Sequence, residues 1–327
     1  MSTGGSRTAI VAALAANIGI AILKFAAWLL TGASSMLAEA IHSVADSGNQ
    51  GLLLLGGHRA RKEATEEHPF GYGRERYIYA FVVSIVLFSL GGLFALYEAY
   101  HKYHEVHAGH EDKLLTGQWW WVPLVVLSGA IVLESLSLRT AARESKVAKG
   151  SQGWYEFVRT SKAPELPVVL FEDVAALVGL ILALLGVSMA LITDNSYWDA
   201  AGTAGIGLLL VTVAVLLAVE IKSLLVGEGA NPEAEARIRQ ALDEDPLIER
   251  IIHLKTLHVG PDELLVAAKI GVKPTERSAD VVRGIDAAER RIRSAEPVAR
   301  HIYIEPDIFS EDYQRDARPE PPLSSGH

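Results

Sequence analysis

The sequence lacks cysteine altogether, and its basic residues are outnumbered by its acidic ones, 30 against 39. Without cysteine, neither a disulfide framework nor a thiolate metal site is available. The net charge of −9 leaves no concentrated basic face that would compete with salt for phosphates, which argues against a nucleic-acid partner. No Walker loop or phosphorylatable aspartate motif is present, so ATP is not the expected energy source. The absence of a His-Glu-x-x-His motif weakens the case for a metalloenzyme.

Apolar residues, by contrast, are abundant, and they lie in blocks separated by dense charge. Half of the 327 residues are hydrophobic. Six blocks reach the roughly 20 residues that a helix needs to cross the hydrocarbon of a bilayer. These predicted spans are approximately residues 8–30, 34–57, 77–100, 118–138, 166–192 and 198–225. The first block is too long for the apolar core of a signal peptide and has no Ala-x-Ala exit, so we expect it to be retained.

The charges of the connecting segments predict an orientation. The connections after the second and fourth blocks are rich in Lys and Arg, whereas the other three carry few or none. Basic loops stay in the cytoplasm, which places both termini there as well. We therefore expect a multi-pass protein of the lipid bilayer, and a chain of this kind without a targeting peptide is expected in the plasma (inner) membrane.

The composition becomes that of a soluble domain from about residue 227. Asn231, followed by Pro232 and Glu233, is typical of a helix start. Two strands are predicted at residues 251–258 and 264–272, joined by a hairpin connection over 259–263, and a helix from Ser278 and a strand at 300–304 follow. The order α-β-β-α-β predicts a small α+β domain with an incomplete ferredoxin-like sheet. The predicted organisation is a six-helix membrane domain over residues 1–227, a cytoplasmic domain over 228–308 and a disordered tail over 309–327.

The second block carries a polar stripe at helical spacing. Its members are Glu39, His42, Asp46, Asn49 and Gln50. At 100° per residue they cover about one third of the helix circumference, so the stripe must face protein, water or an ion rather than lipid. His42 and Asp46 are four residues apart, which allows both side chains to hold one ion.

A second acidic group lies in the fifth block. Glu172 and Asp173 are the only acidic residues between positions 166 and 192. Each carboxylate costs about 2.5–3.5 kcal/mol in mid-membrane on insertion scales, so a cation or a proton is expected to compensate it. A hydrogen bond between helices is the alternative for any one of these residues.

Together these features resemble the cation diffusion facilitator, or cation efflux, family. The resemblance lies in the six spans, the His-x-x-x-Asp of the second, the acidic pair of the fifth and the order of the last domain. The segments 35–43 (SMLAEAIHS) and 67–76 (EHPFGYGRER) also match it. The resemblance implies that His42, Asp46 and Asp173 bind the transported divalent metal, and that the cytoplasmic domain is a homodimerisation module.

The chain departs from the common zinc-exporting pattern in the fifth span. Val169 stands four residues before Asp173, where that pattern has a metal-binding His. Glu172 resembles part of the Glu-Asp motif of a zinc-transporter branch with a mitochondrial member, and we favour it as a ligand. Contact with a neighbouring helix, or proton transfer, is the alternative for Glu172. Glu39 is expected to be structural, paired with Lys24 of the first span or with another basic group.

The remaining histidines are weaker candidates for metal binding. His68 lies in the family's loop, but Tyr72 stands where a second His often occurs. On the strands we expect ordinary histidines rather than a metal cluster; these are His253, His258 and His301. We expect an outer loop to present four more, either as a weak metal collector or as a solvated polar loop; these are His101, His104, His107 and His110.

An imidazole with two or three carboxylates and no sulfur suits Zn²⁺, and Fe²⁺, Mn²⁺ and Co²⁺ also accept such ligands. Metal and protons compete for these atoms, which favours a zinc–proton antiporter with alternating access. The metal is then the transported substrate, and no organic cofactor is expected. A divalent cation channel, an exporter of Fe²⁺, Mn²⁺ or Co²⁺, and an intramembrane metalloenzyme with Glu172 as its base are the alternatives.

Overall fold

The computed structural model describes residues 3–151 and 153–309. Two compact units make up the chain, Met1–Leu225 and Val226–His327. The predicted disordered tail, residues 309–327, lies outside the described residues except for Phe309.

The first unit is helical. Its α-helices are α1 (Thr3–Thr31), α2 (Ser34–Arg59), α3 (Glu75–Val86), α4 (Phe94–His107), α5 (Lys113–Thr116), α6 (Val122–Lys149), α7 (Trp154–Thr160), α8 (Glu165–Thr193) and α9 (Tyr197–Val226). A π-helical segment, Leu87–Leu93, joins α3 to α4, so these elements form one helical stretch of 33 residues.

Four of the helical stretches in the described residues are long and apolar enough to cross a membrane. They are Glu75–His107, Val122–Lys146, Glu165–Thr193 and Tyr197–Val226. These four match the third to sixth predicted spans. Helix α1 contains a shorter apolar stretch, Asn17–Thr31, and α2 carries the polar stripe. Four apolar helices thus support a helical membrane domain, and the count of six spans stays a prediction.

Two boundaries of the first unit differ from those predicted. The third span continues to His107, so the prediction of an outer loop at His101, His104 and His107 was wrong. Aromatic and imidazole rings one turn apart pack along this helical extension; Tyr100 and His104, for example, have centroids 4.3 Å apart. Helix α6 begins at Val122 rather than near 118, because the preceding tryptophans form a turn and a proline occupies the first helical turn.

Glycines allow the helices around the core to approach closely. A Cβ on Gly202 of α9 would lie 3.2 Å from the Cα of Gly186 on α8. A Cβ on Gly207 would lie 2.7 Å from Cγ of Leu96 on α4. Small residues at such crossings are the usual means of packing helices in lipid, where apolar burial gives no driving force between them. Helix α9 is therefore held closely against both α8 and α4.

The second unit contains α10 (Pro232–Asp243), β1 (Arg250–Gly260), β2 (Glu263–Gly271), α11 (Ser278–Ala295) and β3 (Ala299–Asp307). The element order is the predicted one. Asn231 caps α10 as expected, because its Oδ1 accepts a hydrogen bond from the backbone N–H of Ala234 at 2.8 Å. The strands form one sheet in the order β1-β2-β3, with β1 and β2 antiparallel and β2 and β3 parallel.

One side of this sheet packs against the two helices of the unit. The core side chains alternate along β2, as the period of a strand requires. On β2 these are Leu264, Val266 and Ile270, and they pack against Ile238 and Leu242 of α10 and Ile292 of α11. Arg291 of α11 pairs with Asp245 after α10, and this ion pair links the two helices.

On β3, a hydrogen bond from the Lys269 ammonium lowers the pKa of Asp307 below its usual range.

The connection between β1 and β2 is tighter than predicted. Pairing continues to Gly260 and resumes at Glu263, so only Pro261 and Asp262 form the turn instead of five residues. Hydrogen bonds between the two strands continue into part of segment 259–263, although the composition of that segment predicted a turn throughout.

Candidate metal-binding cavity

The polar stripe of α2 faces the interior of the helical unit, as its spacing predicted. Glu39, His42 and Asn49 are each at most 1% exposed, and Asp46 and Gln50 line a cavity. The stripe therefore avoids the surface that lipid would cover, and its residues belong to the interior of the protein.

This cavity lies between α1, α2, α6 and α8. Its volume of about 40 Å³ exceeds the ~10–15 Å³ that a single water requires. Its polar wall consists of Asn17, Lys24, Ser43, Asp46, Gln50, Glu134, Ser137, Glu172 and Asp173. Ile20, Ala130, Val169 and Leu180 complete it. A polar wall rich in carboxylates can accept a hydrated or partly hydrated cation.

His42 and Asp46 meet on one face of α2. Nε2 of His42 lies 3.5 Å from Oδ2 of Asp46. Neither ring nitrogen of His42, nor Oδ1 of Asp46, has a hydrogen-bond partner among the described residues. Buried polar atoms are normally paired, because an unpaired one costs about 1–3 kcal/mol. These nitrogen and oxygen atoms are therefore available to bind a ligand.

The surroundings of His42 include the π-helical segment. A Cβ on Gly91 would lie 3.7 Å from Nδ1 of His42. The imidazole therefore lies beside Gly91 of this segment and is not part of the cavity lining. π-Helical segments are frequent at functional sites, where the extra residue re-aims side chains.

The acidic pair of α8 reaches the same cavity, and each carboxylate is bound from a neighbouring helix. Ser137 of α6 donates a hydrogen bond from its hydroxyl to Oδ2 of Asp173 at 3.1 Å. Asn49 of α2 donates from Nδ2 to Oε1 of Glu172 at 2.7 Å. Glu172 therefore lines the cavity and also contacts a neighbouring helix, and its role as a metal ligand stays a prediction.

The predicted ligands share this region without forming a closed shell. Asp46, Glu172 and Asp173 all line the cavity, and His42 contacts Asp46. Across residues 3–151 and 153–309, no three or more His, Cys, Asp or Glu side chains lie close enough together to hold one ion. The assignment of His42, Asp46, Glu172 and Asp173 as ligands therefore stays a proposal.

Glu134 of α6 lines the cavity as well, and the sequence interpretation missed it. It is the one acidic residue in the fourth predicted span, 118–138. A carboxylate in the middle of an apolar block is itself a signal of a functional site. Glu134 has no acidic or His neighbour one turn away, so no spacing typical of paired metal ligands marks it in the sequence.

Lys24 of α1 pairs with Glu39, which confirms that prediction. Its ammonium donates to Oε2 of Glu39 at 2.9 Å and to the hydroxyl of Ser43 at 2.8 Å.

Val169 of α8 also lies in the cavity wall, so an apolar side chain occupies the position where the common zinc pattern has a ligand.

The accessory histidines do not form a second metal centre within the described residues. His68 packs edge-on against Tyr72, with ring centroids 4.6 Å apart. His253, His258 and His301 lie on strands as predicted.

A known family model matches the helical unit of the chain. The model of the cation efflux transmembrane domain matches residues 10–226, which include every helix that lines the cavity. The chain belongs to the cation efflux family. As a member, it carries a membrane domain of the cation efflux type, which favours transport over the metalloenzyme alternative.

Relatives of this cation efflux protein come from animals, plants and bacteria. It is 31% identical over 250 residues to the mouse proton-coupled zinc antiporter SLC30A9, mitochondrial, covering 76% of this chain and 42% of that protein. With metal tolerance protein C4 of Arabidopsis thaliana it shares 26% identity over 267 residues, 81% of this chain and 57% of the relative.

A bacterial relative matches over almost its full length. Magnetosome protein MamB of Magnetospirillum gryphiswaldense is 24% identical over 292 residues, covering 89% of this chain and 90% of MamB. The mouse and plant relatives are longer, and the chain spans only about two fifths of the mouse protein.

Proposed function

We propose that this chain exports a divalent cation, preferentially Zn²⁺, from the cytoplasm in exchange for protons. The observation that carries the proposal is the buried His42, whose ring nitrogens have no hydrogen-bond partner among the described residues, beside Asp46 and a cavity lined by Glu172 and Asp173. The name of the mouse relative, a proton-coupled zinc antiporter, supports the same reading.

The donor set explains both the metal and the exchange. Nitrogen and carboxylate oxygen ligands without sulfur suit Zn²⁺, and they also accept Fe²⁺, Mn²⁺ and Co²⁺. Such ligands bind metal only after losing their protons, so metal entry releases protons and proton entry helps to release metal. A single cavity that opens alternately to the two sides of the membrane would couple these events.

The same proposal includes six spans, cytoplasmic termini and the plasma (inner) membrane. The family match covers α1 and α2 in addition to the four clearly apolar helices. It also includes a homodimer joined through a ferredoxin-like carboxy-terminal domain, for which the α-β-β-α-β order is the support.

The test is transport by the purified full chain in proteoliposomes. We expect saturable Zn²⁺ flux that an opposing proton gradient accelerates, and we expect Asp46→Ala and Asp173→Ala to abolish it. Glu66→Ala, in the exposed loop before α3, is the control and should leave flux unchanged.

Two results would overturn the proposal. Unaltered flux in both cavity variants would remove the cavity from the transport path. A current that grows with metal concentration without saturation would identify a channel instead. Parallel measurements with Fe²⁺, Mn²⁺ and Co²⁺ decide which cation is the preferred substrate.

A further inference from the structure

Lys24 places a positive charge in the wall of a cavity that is otherwise acidic. The side chain is buried, with 3% of the residue exposed. It is the only basic residue among the described residues that line this cavity. The carboxylates of Asp46 and Glu134 line the same cavity as Lys24. A cation in this position opposes the binding of another cation, so its presence requires a reason.

The ion pair with Glu39 makes Lys24 tolerable inside the protein and offsets only part of its charge at the cavity, because Lys24 lines the wall and Glu39 does not. A buried ammonium needs a counter-charge, and the Glu39 carboxylate supplies it at 2.9 Å. Glu39 is fully buried and is not part of the cavity wall, whereas Lys24 is. The pair therefore presents its positive end to the cavity.

The other end of the pair points toward α8. Oε1 of Glu39 has no hydrogen-bond partner among the described residues, and it would lie 2.9 Å from a Cβ placed on Gly179. The carboxylate of Glu39 therefore lies against Gly179 of α8. With Glu39 fixed there, the ammonium is held in place on the cavity side by Glu39 and Ser43.

We propose that Lys24 is a fixed counter-cation that limits how tightly the cavity holds a divalent metal, so that cargo is released instead of trapped. This role presupposes the proposed metal-transport function. Without the lysine, four wall carboxylates, Asp46, Glu134, Glu172 and Asp173, would attract the metal unopposed. With it, binding is weaker and turnover is faster, because repulsion between charges is strong where little water screens it.

The competing explanation is that Lys24 and Glu39 merely join α1 to α2. Lys24→Met alone does not separate the two explanations, because it leaves Glu39 as an uncompensated buried charge. The double variant Lys24→Met/Glu39→Gln removes both charges and keeps the net charge of the pair at zero. Lys24→Gln/Glu39→Gln does the same with two amides that can hydrogen-bond, and it serves if the first variant fails to fold.

A matched control exists in the same unit. Lys102 is also buried, pairs with Asp112 at 2.9 Å and donates to the backbone carbonyl of Gly32, but it does not line the cavity. Lys102→Met/Asp112→Asn therefore removes an ion pair of the same chemistry from elsewhere in the helical unit.

The experiment measures Zn²⁺ affinity by calorimetry and Zn²⁺ flux in proteoliposomes for the full chain. We expect the Lys24/Glu39 double variants to bind Zn²⁺ about ten-fold more tightly or better, with a lower maximal flux, while the Lys102/Asp112 variant matches the wild type. Unchanged or weaker affinity in both Lys24/Glu39 variants, with normal wild-type flux, would refute the role of Lys24 and leave the proposed function standing. If the wild type itself showed no saturable flux, the proposed function would fail, and the role of Lys24 with it.

Discussion

Asp199 of α9 binds both the backbone N–H and the hydroxyl of Ser34, the first residue of α2. Ser34 donates to Oδ2 of Asp199 from its N–H at 2.7 Å and from its hydroxyl at 3.0 Å. Ser35 donates to Oδ1 in the same way, at 3.3 and 2.5 Å. A fully buried carboxylate thus caps the N-terminus of the helix that carries His42 and Asp46.

Replacing Asp199 should therefore destabilise the helical unit. Asp199→Ala leaves two buried N–H groups at the start of α2 without acceptors, and we expect a loss of about 2–4 kcal/mol. Asp194→Asn, in the exposed turn before α9, is the control. Thermal unfolding of the full chain in detergent is the measurement, and a melting temperature equal to that of the control would contradict this role.

The crossing of α9 and α4 should depend on Gly207. In Gly207→Ala the new methyl would lie 2.9 Å from the backbone nitrogen of Leu96, which a side-chain movement does not relieve. We expect a cost of about 1–3 kcal/mol. Gly205→Ala is the matched control two residues away, because its nearest contact is the flexible end of Leu182 at 3.4 Å. Equal stability of the two variants would mean that α9 and α4 accommodate the new methyl group at little cost in free energy.

Glu134 should contribute to metal affinity even though it lies outside the family motif. Glu134→Gln keeps the shape of the side chain and removes one negative charge from the cavity wall, so we expect Zn²⁺ binding to weaken about five-fold to ten-fold. Glu144→Gln, exposed on the same helix, should bind Zn²⁺ like the wild type. Calorimetry on the full chain decides the matter, and equal affinity in the two variants would exclude Glu134 from the site.

His42 should set metal preference. His42→Asp replaces the nitrogen donor with oxygen, and oxygen ligands favour Mn²⁺ relative to Zn²⁺. We expect the ratio of Mn²⁺ to Zn²⁺ transport to rise, as measured by competition between the two metals in proteoliposomes. His68→Asp, in an exposed loop, is the control. An unaltered ratio would place selectivity elsewhere in the chain.

Local signals predicted most of the fold. Asn231 and Pro232 marked the start of α10 correctly because a cap depends on neighbours in sequence. The helix bearing His101 to His107 was missed because its polar composition resembles a loop, while the ring pairs that line it depend on helical spacing. The hairpin turn was predicted too long because strand pairing, a long-range interaction, extends to Gly260 and Glu263.

The candidate site was predictable only in part for a similar reason. The stripe of α2 follows from periodicity, so its inward direction could be read from the sequence. The partners of its residues come from other helices: Asn49 bonds Glu172 across 123 positions of sequence, and Ser137 of α6 reaches Asp173. Which side chains meet across such distances depends on packing, which one sequence does not reveal.

The π-helical segment Leu87–Leu93 also has a consequence for tolerance to deletions. A π-turn holds one residue more than an α-turn, so this segment offsets α4 from α3 by about 100° relative to an uninterrupted α-helix. Deleting one residue within 87–93 would regularise the helix and leave α3 and α4 in the same relative orientation, whereas a deletion outside this segment would rotate one half of the span by about 100° against the other. A deletion within 87–93 would therefore change mainly the helix surface beside His42, where Gly91 lies, and a change of one residue in an apolar stretch would act on the polar site.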